Sequence, residues 1–245
     1  MNENHRWSYS QLKTFTTCPR AFKLQYLDKV PQENNAFAEY GTLCHKIFEE
    51  WAKGDESYAL NKFVERFNEE IKHPFPAGKV NLAESYFDKG YNYFEGFSGL
   101  NLDIAEILEV EKKFVIKIGK YDFVGVIDLI FRDKCGNIYI LDHKSTGIQN
   151  IKPKKKFAEA VKQLYLYSKY VFDTYGEFPA ELIFNVFNAG EILKEDFSHV
   201  TYNEVMDWAE KLMDEISETD EWPKMESSYW CWNVCSVLEN CQEEE

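Results

Sequence analysis

Gly125-Val126-Ile127-Asp128 and, a little further on, Asn137-Ile138-Tyr139-Ile140-Leu141-Asp142-His143-Lys144 decide how this chain is read. Both acids close runs rich in Ile, Val, Leu and Tyr, residue types that favour strands. Successive side chains on a strand alternate between its two faces. Ile138, Ile140, Asp142 and Lys144 therefore share one face, and His143 points to the other. A carboxylate and an ammonium are presented together where a strand leaves the core. Asp128, on the neighbouring strand, brings the second carboxylate that a hard cation needs. Such a site points to metal-dependent hydrolysis of phosphodiesters.

Working outward, residues 104–118 and 121–131 read as two strands around a hairpin turn at Gly119-Lys120. A second turn, Asp133 to Asn137, leads into the strand that ends at Asp142, so three consecutive antiparallel strands are expected. Two further strands, 182–187 and 191–197, flank Asn188-Ala189-Gly190. Apolar spacing predicts helices over 37–52, 57–71, 82–97, 157–175 and 202–216, the last with Thr201 as a cap. Residues 10–26 also read as helical, capped by Ser8 or Ser10, but Pro19 splits them at Cys18-Pro19. Gly41, inside a helix, suggests close approach of another backbone. From Trp222 onward the pattern is irregular. The order of elements implies an α/β (α+β) fold in one domain. Its parts are a mainly helical portion at 1–100, a core at 104–217 and a cysteine-containing tail at 222–245.

Composition narrows the classes. Hydrophobic residues are 44% and aromatics 16% of the 245, enough for a substantial core. No apolar run approaches the roughly 20 residues that span a bilayer, so no membrane association is expected. The first residues carry no secretion signal, and a cytoplasmic setting is expected. The net charge of −14 is unusual for a protein that would bind nucleic acid. Net charge, however, does not decide whether one groove is basic. Lys152, Lys154, Lys155 and Lys156 follow the Asp-His-Lys triplet closely. Such a run is usually a solvated face; contact with phosphates is the competing reading.

Further residues fall in a recognisable order. Trp7-Ser8-Tyr9-Ser10-Gln11-Leu12 and Cys18-Pro19-Arg20-Ala21-Phe22 open the chain, and Gly41-Thr42-Leu43-Cys44-His45 follows. After the two acidic motifs come Gln163 and Tyr167, four apart and so on one helical face. Together these resemble the RecB-like branch of the PD-(D/E)XK nuclease superfamily over nearly the whole chain. One such element is common by chance; five in order are not. The resemblance implies a restriction-endonuclease-like core, a central mixed sheet flanked by helices.

It also implies a divalent ion, Mg²⁺ or Mn²⁺, held by His45, Asp128, Asp142 and the backbone carbonyl of His143. Lys144 would orient or help deprotonate the attacking water, and Gln163 and Tyr167 would position water or the nucleic-acid backbone. An imidazole ligand favours Mn²⁺. The ring of His143 is expected to stay out of the chemistry. Glu111, on the preceding strand, is a possible auxiliary acid, though a solvated strand residue is the plainer reading.

Of six cysteines, Cys18, Cys231, Cys235 and Cys241 match the one-plus-three layout with which several RecB-like nucleases hold a [4Fe–4S] cluster. The spacing departs from the family's: the interval from Cys231 to Cys235 is one residue longer. Zn²⁺ on four thiolates is the competing occupant. Cys44 and Cys135 read as a packed thiol and a turn residue.

The functional expectation is a metal-dependent DNA nuclease, an exonuclease of recombination, repair or phage DNA processing, acting on single strands or duplex ends. A protein partner such as a helicase or a recombination or adaptation factor is compatible with it. One alternative is a CRISPR-adaptation-like nuclease that trims DNA. Another is a catalytically silent DNA-binding or scaffold subunit; the intact Asp128, Asp142 and Lys144 count against that.

Overall fold

The computed structural model describes residues 5–32, 34–55, 57–225, 231–232 and 234–243. Helices α1 (Tyr9–Thr17) and α2 (Pro19–Phe22) meet at Cys18, followed by one π-helical turn, Lys23–Leu27. The break falls where Pro19 cannot donate a backbone hydrogen bond. Ser8 caps α1, its Oγ accepting from the Gln11 amide at 3.4 Å. Three helices follow: α3 (Ala36–Ala52), α4 (Ala59–Glu70) and α5 (Leu82–Glu95).

The expected antiparallel meander is present as β2 (Glu106–Ile118), β3 (Tyr121–Arg132) and β4 (Ile138–His143). Helix α6 (Lys154–Tyr175) begins three residues before its expected start and crosses over to β5 (Glu181–Val186), which pairs parallel with β4. Strand β6 (Glu191–Asp196) closes that edge in antiparallel register. Helix α7 (His199–Glu218) starts earlier than read from sequence, because Ser198 rather than Thr201 is its cap. A short helix, α8 (Leu238–Glu243), lies in the tail expected to be irregular.

A mixed sheet thus stands between two helical layers. Helices α1, α6 and α7 pack on one face around Leu12, Phe15, Leu164, Tyr165, Ala209 and Met213. On the other face α3, α4 and α5 build an aromatic layer around Tyr40, Phe48, Phe63 and Phe94. Among the described residues no helix is long and apolar enough to cross a membrane.

One strand was not legible in the sequence. β1 (Arg6–Trp7) pairs parallel with β3 at Asp122 and Phe123. Strand β4 pairs with the same edge of β3, but only from Leu129 onward. Residues 124–128 of β3 are left between them without a strand neighbour on that edge, and the sheet opens into a cleft there.

The long β2–β3 hairpin also changes face near this opening. Val110 and its partner Leu129 pack with Leu141 and Ile183. Two residues nearer the hairpin tip, Ile127 packs with the α6–α7 layer, as does Phe114. Between the two halves stands Glu111, whose φ of 48° is left-handed, a rare conformation for a non-glycine residue. It breaks the pleat opposite Asp128.

Candidate active site

Leu129 pairs with Leu141, so the next positions along the antiparallel ladder set Asp128 opposite Asp142. Asp128 Oδ2 accepts a hydrogen bond from the His143 amide at 2.7 Å. Asp142 is 5% exposed and faces α6. Its Oδ1 accepts from Gln163 Nε2 at 2.9 Å. Its Oδ2 lies 2.8 Å from Lys144 Nζ, an ion-pair contact, but makes no hydrogen bond. Lys144 Nζ donates to Gln163 Oε1 at 3.0 Å, and Gln163 Nε2 lies 3.1 Å from the Tyr167 hydroxyl. The Gln163 amide therefore ties Asp142, Lys144 and Tyr167 into one network. Lys144 stays in line with β4 because its amide donates to Asn185 O at 2.8 Å.

From the opposite layer α3 supplies His45. Its Nε2 donates to the His143 carbonyl at 3.0 Å. Its Nδ1 faces Asp128 Oδ2 at 3.4 Å and Glu111 Oε1 at 3.9 Å. Burial works against the imidazolium, but the charges of Asp128, Glu111 and Asp142 outweigh it and push His45 up to about 9. Asp128 is raised to about 7, first by burial and then by the charge of Asp142. Carboxylates crowded to this degree bind protons in place of a cation.

His143 stays apart from this chemistry. Its ring stacks on Phe48 with centroids 4.0 Å apart, and its Nδ1 accepts from Asn185 Nδ2 at 2.9 Å. Burial, then the charges of His45 and Lys144, hold it well below its usual range, so the ring is neutral. The alternation of faces along β4 accounts for this orientation. Only the His143 amide and carbonyl point toward the acids.

The donor set suits a divalent ion. Two carboxylates and a carbonyl offer hard oxygen, and an imidazole shifts the preference toward Mn²⁺. The buried Oδ2 of Asp142 meets only the Lys144 ammonium, at 2.8 Å, and keeps lone-pair capacity for an ion.

The cleft encloses about 780 Å³ and is lined by His45, Asp128, Asp142, Lys144, Gln163 and Tyr167. All the sequence-read site side chains of this group meet there. Arg6, Ser8, Ser10 and Lys113 line it as well, and the sequence assigned them no part in the site. Their only signal is position: Arg6 to Ser10 leads into the first helix motif, and Lys113 is opposite Val126 on the strand partner of β3. Glu111 also differs from its reading as a solvated strand residue. It belongs with His45 and Asp128 to a group whose ligand atoms all lie within 4.8 Å of one another. Its left-handed backbone is what turns it inward, and no sequence pattern marks that.

The lysine run lies elsewhere. Lys152 pairs with Glu191 at 2.6 Å, and Lys156 Nζ donates to Gln149 O at 3.1 Å. Lys154 and Lys155 open α6 in an exposed position. None of the four lines the cleft.

Cys18, Cys231, Cys235 and Cys241 converge on a separate cavity of about 330 Å³. None of them is in a disulfide. Cys18 Sγ accepts from the Ala21 amide at 3.4 Å. Burial, and then the neighbouring thiols of Cys18, Cys231 and Cys241, raise Cys235. Cys44 is buried and Cys135 exposed in its turn, as the sequence suggested.

The family model of the PD-(D/E)XK nuclease superfamily matches residues 6–242. No curated protein sequence matches. Among solved structures, one similar chain is a protein from Eubacterium rectale whose name gives exonuclease as a provisional assignment. It aligns with a TM-score of 0.57 and 13% identity over 98% of this chain and 88% of its own, a likeness of fold. A structure of SSO0001 covers 96% of both chains at 15% identity, but its TM-score of 0.36 is too low to bear on the fold. The family match over nearly the whole length and the meeting of Asp128, Asp142 and Lys144 in one cleft have the same meaning: the chain belongs to the PD-(D/E)XK nuclease superfamily, whose members are metal-dependent nucleases.

Proposed function

We propose that the protein is a divalent-metal-dependent deoxyribonuclease that works as an exonuclease on single strands or duplex ends. One observation carries this reading. Asp128, Asp142, Lys144 and Gln163 meet in a single open cleft, with His45 reaching them from the other layer. His45, Asp128, Asp142 and the His143 carbonyl would hold Mg²⁺ or Mn²⁺. A bound divalent ion neutralises a scissile phosphate and lowers the pKa of water. Lys144, held 2.8 Å from Asp142, places a positive charge where charge develops on the phosphate and orients the attacking water. Gln163 fixes both partners of that ion pair and, with Tyr167, holds the substrate backbone in register. Arg6 and Lys113 offer cations along the cleft to a phosphodiester chain.

End-labelled single- and double-stranded DNA, with Mg²⁺ and with Mn²⁺, tests the reading. Wild type is expected to release nucleotides from the labelled end. Asp142→Ala and Lys144→Ala are expected to lose at least about a hundredfold in rate while keeping the wild-type circular dichroism. Wild type without metal-dependent cleavage, alone or with a partner, would leave the silent scaffold as the better reading.

The four converging cysteines support a [4Fe–4S] cluster in the second cavity, with a structural role. The convergence of the four sulfurs on one cavity and the amide donated to Cys18 Sγ suit thiolate ligation. Protein purified without oxygen is expected to be brown, with absorbance near roughly 400 nm. A colourless protein with one zinc per chain would replace iron–sulfur by Zn²⁺.

A further inference from the structure

The outer half of the β2–β3 hairpin keeps one face bare. Phe114, Ile116 and Ile118 alternate inward and are buried in the core that α1, α6 and α7 cover. Lys113, Val115 and Lys117 therefore project from the opposite face, and all three are exposed. Cross-strand partners share a face, so Val126 stands beside Lys113, Val124 beside Val115 and Asp122 beside Lys117. β1 adds Arg6 to this face, next to Asp122, because Trp7 turns inward beside Phe123.

Val115 is 54% exposed, and Val124 and Val126 are half-buried. The three valines line the main cleft together with Arg6, Lys113 and Asp128. Along β3, Val126 and Val124 follow Asp128 at two-residue steps. The apolar strip thus begins beside the acid and runs about 13 Å outward. At its outer end Lys117 and Asp122 neutralise each other at 2.7 Å. Among the described residues, Arg6 and Lys113 have no ion-pair partner, although the chain carries a net charge of −14.

An apolar strip between two free cations, opening at the acid, fits an unpaired nucleotide strand. Such a strand offers flat apolar base faces on one side and phosphates on the other. A duplex keeps its base faces stacked inside and would bring phosphate and sugar to the valines, at a cost in desolvation. We infer that Val115, Val124 and Val126 receive the bases of an unpaired DNA strand while Arg6 and Lys113 hold its phosphates. The strip leads the strand to Asp128 in single-stranded form. This inference rests on the nuclease reading for the identity of the ligand as DNA.

Fluorescence anisotropy without added Mg²⁺ or Mn²⁺ tests it, on labelled oligothymidylate, an abasic strand of equal length and a blunt duplex. Wild type is expected to bind the base-bearing strand at least about fivefold more tightly than the other two. Val115→Thr combined with Val124→Thr keeps the shape and branching of both side chains. It is expected to remove most of that preference and to leave affinity for the abasic strand unchanged. Val115→Lys, at an exposed position, is the second variant: its charge should tighten abasic binding while the preference for bases falls. Arg6→Ala and Lys113→Ala are expected to weaken both strands alike and to flatten the salt dependence. Equal binding of base-bearing and abasic strands by wild type overturns the inference, as does a duplex bound as tightly as the base-bearing strand. So does a preference for bases that Val115→Lys retains in full. With Mn²⁺ added, a wild type that cleaves DNA but does not distinguish the strands sinks this inference alone. One that prefers bases and cleaves nothing sinks the nuclease reading alone.

Discussion

Gly125 sits where a methyl group has no room. A Cβ there would stand 2.6 Å from Phe114 Cζ and 2.7 Å from Tyr167 Cε1. Both rings are buried, and they pack edge to face at 5.0 Å. The missing side chain is what lets Tyr167 lie against β3 and bring its hydroxyl to Gln163. Gly125→Ala is expected to cost about 1–3 kcal/mol by overpacking, although alanine normally suits a strand better than glycine. Chemical denaturation reads the loss, and DNA cleavage should fall with it as Tyr167 is displaced. A variant as stable and active as wild type would show that the rings yield freely. At this scale the sequence was most legible where chemistry and alternation agree. Asp142 and Lys144 share a face, His143 does not, and Gln163 and Tyr167 project together. Glu111 was legible only as a possible auxiliary acid, because its placement depends on one backbone angle, which residue identity does not encode.

Among the elements, the junction of α1 and α2 carries two duties. Cys18 ends α1, its amide donating to Thr14 O at 2.8 Å, and its sulfur caps α2. The same sulfur lines the cavity with Cys231, Cys235 and Cys241. Cys18→Ser separates these duties, since serine is a good helix cap but a poor substitute for a thiolate ligand. If capping were its whole role, stability would be unchanged. With a cluster in place, the expected outcome is a loss of visible absorbance and a lower melting temperature, read by optical and thermal scans on the same sample. The helices and long strands were read correctly from their periodicities, with ends off by a few residues. Helix starts were misjudged where two capping residues compete, as Ser198 and Thr201 do before α7. Two residues are too few to show a period, so β1 could not be seen.

Across the whole molecule, the excess of acid and a nucleic-acid cleft are compatible because charge is sorted by place. Many of the lysines and arginines are spent on surface pairs such as Lys46–Glu70, Arg66–Glu50 and Lys169–Asp173. Arg6, Lys113 and Lys144 line the opening where the sheet is interrupted. The arrangement of layers was foreseeable from the alternation of helices and strands. The interruption was not, because it comes from two strands sharing one edge of β3 at different heights.

That shared edge also orders events in time. β2, β3 and β4 are neighbours in sequence and can pair through short turns, which brings Asp128 and Asp142 together early. β1 meets β3 across more than a hundred intervening residues, a closure that costs more chain entropy and is correspondingly slow. Chain entropy thus favours meeting of the two acids before the groove that would guide a strand to them has its second wall.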